Sequence, residues 1–271
     1  MRPSAFKLAA AGLAVGLLIT VALLTVNVWL AARQAEDLRR GSREHAFWVL
    51  CQPGHSAADR GSAFLLLAAA GNKEWRSADL REVNLAGLQL PGADLSGARF
   101  INANLAGANL AGARVLKGSF GQTDLSGADL SEADLSEVQL FRTKFAQANL
   151  RRAKLRAAYM QEVQAEKADL MLADLSDADC LMASFAGAKL NGANLSGAKL
   201  EAAVLRGADL SLARMNGADL KEADFTNANW WRSRGLSSEQ IDLLKKKFAP
   251  ATNAEPALKL DYDKWANNGP R

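Results

Sequence analysis

The chain has 271 residues, 49% of them hydrophobic and 23% charged, and its 33 Lys and Arg against 29 Asp and Glu leave a net charge of +4. That apolar content excludes disorder throughout. A mean hydropathy of −0.08 excludes a polytopic membrane protein, and +4 over this length does not by itself mark a nucleic-acid binder. With only Cys51, Cys180, His45 and His55, a disulfide framework and a Cys-rich zinc site are excluded too.

Residues 8–32 form a run of 25 without a charge. An α-helix needs about 20 apolar residues to cross the hydrocarbon core, so the run predicts a transmembrane anchor. A secretory signal would have an apolar stretch of about 7–15 residues and a small-residue cleavage site, and Leu30 spoils the obvious Ala-x-Ala. Arg2 and Lys7 precede the run; Arg33, Arg39, Arg40 and Arg43 follow it. This tally favours the cytoplasm for the C-terminal part, the free amino terminus narrows the margin, and the periplasmic side stays open. The expected location is a bacterial inner membrane, crossed once. After this tail and anchor (1–32), residues 33–75 read as a helical neck and N-terminal cap, with helices at Glu36–Leu50 and Ala58–Ala69 separated by Pro53-Gly54.

From residue 76 to 230 the text repeats every five residues. Counting in fives from Leu80 to Trp230 gives 31 positions: 20 Leu, five Phe, two Met, and Val115, Ala165, Cys180 and Trp230. Two residues before each stands a small residue, Ala in 24 of the 31, and Asp or Asn is common between them. The consensus is A-(D/N)-L-x-x, with Gly in the last place of 11 units. Period five suits neither standard element. On a helix successive leucines would move about 140° apart and spread over every face; on a strand they would alternate sides. The pattern works only if the chain turns once per unit, so that every Leu points to a common axis, as in a solenoid.

These residues, with ADLSG at 93–97, ANLAG at 103–107 and ANLSG at 193–197, resemble the pentapeptide-repeat family. The resemblance implies an all-β fold, a right-handed quadrilateral β-helix with four units per coil and nearly eight coils, about 35–40 Å long at a spacing of about 4.8 Å. Residues 20 apart should then stack. One inward column reads Leu80, Phe100, Phe120, Leu140, Met160, Cys180, Leu200, Leu220, and in the next Ala165 lies between Phe145 and Phe185. Cys180 is expected as a small buried hydrophobe. Some family members mimic DNA and bind type II topoisomerases, giving quinolone resistance. Mimicry requires a strongly negative rod, whereas the repeat here has 17 Lys and Arg against 19 Asp and Glu.

Beyond the repeat, Ser237 and Gln240 make a capping box for a helix at about 238–248, on which Ile241, Leu244 and Phe248 share a face. Residues 231–249 thus form a C-terminal cap beside Trp230 and Trp231. Residues 250–271, with Pro250, Pro256 and Pro270 and no period, are expected to be a disordered tail. Caps at both ends argue against end-to-end stacking; a purely structural envelope protein is an alternative reading.

No enzyme signature is present. The spacing of Cys51 and His55 is broken by Pro53-Gly54 and supplies too few ligands for zinc. There is no phosphate-binding Gly motif and no nucleophile elbow. No cofactor, small-molecule substrate or nucleic acid is called for. The repeated Asp residues are expected to be solvated or bonded to turn backbone. The uneven feature is a basic run, Arg142, Lys144, Arg151, Arg152, Lys154 and Arg156, flanked on both sides by acidic stretches. It is the candidate partner-binding patch, for an acidic protein or lipid headgroups. Lys245, Lys246 and Lys247 form a smaller one. Phe141, Met171, Leu172, Leu181, Met182 and Leu212 fall on outward positions, and a contiguous group of them would mark an interface. The expected function is a non-enzymatic, membrane-anchored scaffold that presents a rigid rod to a protein partner.

Overall fold

The computed structural model describes residues 55–251 and 254–268, with Gly41. The chain divides into two units, Met1–Trp48 and Val49–Arg271, and the second is the subject here. The expected anchor at 8–32 and helix at Glu36–Leu50 lie outside the described residues. Among the described residues no helix is long and apolar enough to cross a membrane.

Why the chain turns every five residues is visible in the hydrogen bonds of one unit. The Leu95 carbonyl accepts from Ala98 N at 3.0 Å, closing a turn over the two intervening residues. Leu95 N donates to Arg114 O at 2.7 Å, Gly97 N to Leu116 O at 2.9 Å, and Arg99 N to Ala78 O at 2.9 Å, all to neighbouring coils. The remaining donor, Ser96 N, goes to the Asp94 carboxylate at 3.0 Å. Each of the five N–H groups has an acceptor, which explains the consensus acid before Leu: its side chain holds the one amide the ladder leaves over. Asp124, Asp129 and Asp174 do the same for Ser126, Ser131 and Ser176 at 2.9–3.1 Å.

The turn requires a left-handed backbone at its third residue, as a type II turn does. Thirty-one consecutive turns, from Ser77 to Asn227, have positive φ there: 11 are glycines, and 20 are other residues with φ between 53° and 62°. The unit of Trp230 ends in a 3-10 turn instead.

Each unit contributes one bridging residue, paired in parallel with the residues 20 before and after it. The β-structure therefore consists of isolated rungs rather than continuous strands. The rungs form four ladders, named here by their first members: the Glu74, Asp79, Asn84 and Gln89 faces. The expected stacking at 20 is met throughout, and the Glu74 ladder keeps its register past the repeat to Arg234.

The inward positions fill the core from Trp75 to Trp230, all buried. Phe100 and Phe120 stack at 4.6 Å, and Ala165 is fully buried in the column of Phe145 and Phe185. Thr123 and Thr143 replace the usual Ala in the core, and their hydroxyls donate to Phe100 O and Phe120 O at 2.6 and 2.7 Å. Cys180 is buried as expected, and desolvation, reinforced by Asp179, pushes its thiol up to about 12.

Helix α1 (Ala57–Ala69) covers the first coil, starting from a capping box of Ser56 and Asp59. Phe64 meets Trp75 at 4.1 Å, and Arg60 donates to Arg81 O at 2.8 Å. At the other end a 3-10 turn (Trp230–Arg232) leads to α2 (Ser238–Phe248), which has the expected Ser237–Gln240 box. Trp230 Nε1 donates to Phe248 O at 3.2 Å and Gln240 to Ala218 O at 2.9 Å, fastening α2 to the last coil.

The expectation of a disordered tail over 250–271 fails for α3 (Pro256–Asn268). Pro256 opens this helix, where a missing N–H costs nothing, instead of breaking one. Tyr262 packs edge-on against Trp231 at 5.0 Å and Trp265 against Trp230 at 5.5 Å. Asp261 accepts from Trp231 Nε1 at 2.9 Å and Arg232 Nε at 2.8 Å. This aromatic docking orders a segment too weakly patterned to predict alone.

Candidate interaction surface

Stacking at 20 redistributes the six candidate cations. Arg142 lies on the edge between the Asp79 and Asn84 faces, Lys144 on the Asn84 face, Arg151 and Arg152 on the edge between the Gln89 and Glu74 faces, Lys154 on the Glu74 face, and Arg156 on the edge between the Glu74 and Asp79 faces. They form a belt around the solenoid. Four find a carboxylate on a neighbouring coil: Arg142 with Glu162 at 2.7 Å, Arg151 with Asp169 at 3.2 Å, Lys154 with Asp134 at 3.7 Å and Arg156 with Asp177 at 3.9 Å. Lys144 and Arg152 make no ion pair among the described residues. The acidic stretches that flank the run in sequence are thus its partners in space.

The ladders follow the same rule. Among rungs that pair two charged residues, ten join opposite signs and two join like signs. One exception, Glu74 with Asp94, is bridged by Arg76; hydrogen bonds from Ser96, and after them from Arg76, hold Asp94 below the usual carboxylate range. The other, Arg214 with Arg234, has no carboxylate partner among the described residues.

Apolar groups are the ones brought together. On the edge between the Asp79 and Asn84 faces, Phe141 and Leu181 stand two coils apart in one column, with Met182 beside Leu181. Tyr159 projects from the Asp79 face on the coil between them. All four are exposed, Tyr159 by 52% and Met182 by 57%. Gln139, Phe141, Tyr159 and Gln161 line a depression of about 270 Å³. Arg142 lies over the Phe141 ring at 4.8 Å while paired to Glu162, so the rim is neutralised. Aromatic and Met side chains ringed by polar groups are what protein interfaces are enriched in. Phe141, Leu181 and Met182 stood out in the sequence only as scattered outward residues. Tyr159, on a bridging position usually held by Asp or Asn, could have been found by reading down the columns of 20.

Among the described residues no group of His, Cys, Asp and Glu is arranged to hold a metal ion.

A family model of pentapeptide repeats matches in eight copies, over residues 78–115 and, in overlapping stretches, 119–229. The chain belongs to the pentapeptide-repeat family. Its architecture is accordingly the family's right-handed β-helical solenoid. Among solved structures, this pentapeptide-repeat chain is similar to HetL of Nostoc sp. strain PCC 7120, a protein involved in heterocyst differentiation regulation (30% identity, covering 62% of this chain and 95% of that one, TM-score 0.23). It is also similar to QnrB1, a plasmid-mediated fluoroquinolone resistance protein (19%, 65% and 91%, TM-score 0.29). A third is a pentapeptide-repeat protein of the Arabidopsis thaliana thylakoid lumen (24%, 67% and 90%, TM-score 0.21). No curated protein sequence matches the chain.

Proposed function

We propose that this pentapeptide-repeat protein is a non-enzymatic interaction module whose partner is a protein docked on the Phe141 edge. The observation that carries the reading is the exposure of Phe141 and Tyr159, which line a depression with Gln139 and Gln161, together with exposed Leu181 and Met182 one to two coils along the same edge. A depression of about 270 Å³ has room for one large apolar side chain. Gln139 and Gln161 line it too, and Gln161 Nε2 already donates to Asp179 at 2.8 Å. The partner is thus a protein segment that inserts one apolar residue against Phe141 and Tyr159. Of the six cations, Arg142 belongs to this rim and Lys144 to the adjoining face; the other four lie around the shaft. The uncharged run 8–32 supports a single-pass tether in a bacterial inner membrane, with the basic tally favouring a cytoplasmic solenoid.

The test is crosslinking affinity purification of the full chain from native membranes, compared with a Phe141→Ser/Tyr159→Ser variant. Both side chains point outward, so thermal unfolding of the variant should match the parent. The expected result is loss of a specific protein from the variant's captured set. Recovery of the same set would remove this edge as the interface.

A further inference from the structure

The chain contains three Asn-Gly pairs, Asn191-Gly192, Asn216-Gly217 and Asn268-Gly269. The first two hold the same places in turns of the solenoid, and both glycines have φ of 66°. Each pair stands between an apolar residue, Leu190 or Met215, and an Ala. Asn before Gly is chemically labile, because no Cβ keeps the following backbone nitrogen away from the Asn carboxamide carbon. With matched neighbours, the two pairs differ only in how the fold holds them.

At Asn191 the turn is fastened twice. Gly192 N donates to Ser211 O at 2.8 Å, and Asn191 Nδ2 donates to the Asp209 carboxylate. Both residues are half-buried. At Asn216 neither fastening exists. Gly217 N and the Asn216 carboxamide make no hydrogen bond among the described residues, and both residues are exposed. The end of the ladder is the cause. In every turn from Ser77 to Leu212 the N–H of the third residue donates to the next coil. Met215 N still reaches Arg234 O at 2.8 Å. The chain then leaves for the Ser237 cap of α2, and Gly217 has no coil above it to bond.

In a type II turn the residue before the Gly has ψ of about 120°, which aims the Gly nitrogen away from the Asn side chain. Attack on that side chain requires the intervening peptide to rotate, and a ladder bond opposes rotation. The Asn216-Gly217 peptide has no such bond, and Gly accepts φ of either sign. We infer that Asn216 is a site of self-modification, at which the turn closes on its own side chain as a succinimide and water opens the ring to aspartate or isoaspartate. The Gly217 amide nitrogen gives up its proton and bonds to Asn216 Cγ. The Cγ–Nδ2 bond breaks, and that nitrogen leaves with the proton as ammonia. Water then adds its hydroxyl to one ring carbonyl carbon and its remaining proton to the ring nitrogen as the bond between them breaks. Water is the only co-reactant, and no oxidation state changes.

The place gives the new charge a role. The Asn216 carboxamide occupies the space that a Cβ on Gly235 would fill, immediately after Arg234. The carboxylate therefore forms beside the Arg214–Arg234 rung, the like-signed pair that has no carboxylate partner among the described residues. Modification supplies the counter-charge that this rung lacks.

The experiment follows the purified full chain in heavy-oxygen water, in mildly alkaline buffer below its melting temperature. Peptide mapping with a fragmentation that separates aspartate from isoaspartate reads each site. Asn216 should convert with uptake of one heavy oxygen, at least about tenfold faster than Asn191, whose turn must first break two hydrogen bonds. The same chain held unfolded in denaturant should convert both at similar rates, which assigns the difference to the fold. Gly217→Ala should abolish conversion at 216 with the fold kept, since Ala157 and Ala202 hold the same turn position at φ of 53° and 54°. Asn216→Asp, a copy of one product, should melt no lower than the parent at low salt. Equal rates at the two sites of the folded chain, faster conversion at Asn191, or an unchanged carboxamide at 216 would overturn the inference. A lower melting temperature for Asn216→Asp would overturn the role assigned to the charge.

Discussion

Two positions in the same five-residue unit obey different rules. The inward residue is buried in every unit from Trp75 to Trp230, and almost all of these are Leu, Phe or Met. Two residues later, the residue at the edge adopts positive φ in every turn from Ser77 to Asn227, yet Gly holds it in only 11; Arg, Glu, Leu, Met, Gln and Lys hold others. The inward residue answers to packing, which admits few solutions. The edge residue answers to a backbone demand that a majority of units ignore. That demand costs about 1–2 kcal/mol for each non-glycine residue, and the coil-to-coil hydrogen bonds hold the turns against it. Choice at the edges therefore carries information about something other than folding, and the exposed Met182, Leu172 and Leu212 all stand at this position.

The contrast can be tested inside one unit, Phe145 to Gln147. Phe145 is fully buried and its column neighbour is Ala165. A Phe145→Ala change removes the larger of two adjacent side chains and leaves a void bordered by another small residue. It should cost about 3–5 kcal/mol, toward the upper end because the neighbour cannot fill the space. Guanidinium unfolding of the full chain followed by circular dichroism measures it. A loss below about 1 kcal/mol would mean that neighbouring coils collapse into the gap, and that the interior is less strict than its register suggests.

The same contrast explains what could be read from the sequence. The inward column, α1 and α2 were legible because each rests on a local signal: a strict period, an apolar run or a capping box. The coil of 20 came from the resemblance to the family. α3 was not, because Pro256 resembles a breaker and the pull of Trp230 and Trp231 on Tyr262 and Trp265 is tertiary. The surface was legible only in part. Arg142 and Arg156 are near neighbours in sequence but lie on different edges, and each meets a carboxylate 20 or 21 residues on. Phe141 and Leu181 look distant in sequence but share a column. Surface composition is organised by columns of 20, and a linear scan for charge runs mixes those columns.

Electrostatics between coils gives a second test, smaller than the core deletion. Hydrogen bonds from Arg81 to Asp79, from Ser96 to Asp94 and from Arg232 to Asp261 hold these carboxylates below their ordinary 3.8. For Asp124, Asp209 and Asp224 burial works the other way, but the bonds donated by Ser126, Ser211 and Thr226, with further partners, outweigh it. A carboxylate whose pKa falls on folding holds fewer protons folded than unfolded near that pKa. Its contribution is fully present above the unfolded value of about 4 and is lost as pH drops through the folded value. Melting temperature should thus be nearly flat from about pH 8 to pH 5 and fall below about pH 4. A maximum below pH 4 would show that these bonds do not favour the charged form.

The smallest expected effect is the one that decides whether the edges are free of structural duty. In the unit of Phe145, Gln147 holds φ 59° and is exposed. Replacing it with Gly removes left-handed strain of about 1–2 kcal/mol. The replacement also loosens the unfolded chain, which costs about 0.4–1 kcal/mol. The first term is the larger, so Gln147→Gly should stabilise the protein by about 0.5–1 kcal/mol. The sign is opposite to that of the core deletion two residues away. Denaturant midpoints at constant slope read it directly. If Gln147→Gly destabilises, the side chains at the edges contribute contacts along their columns that outweigh backbone strain. Leu172 and Leu212 would then be explained by folding alone. If it stabilises, strain at the edges is tolerated rather than needed, and folding alone does not account for the exposed leucines.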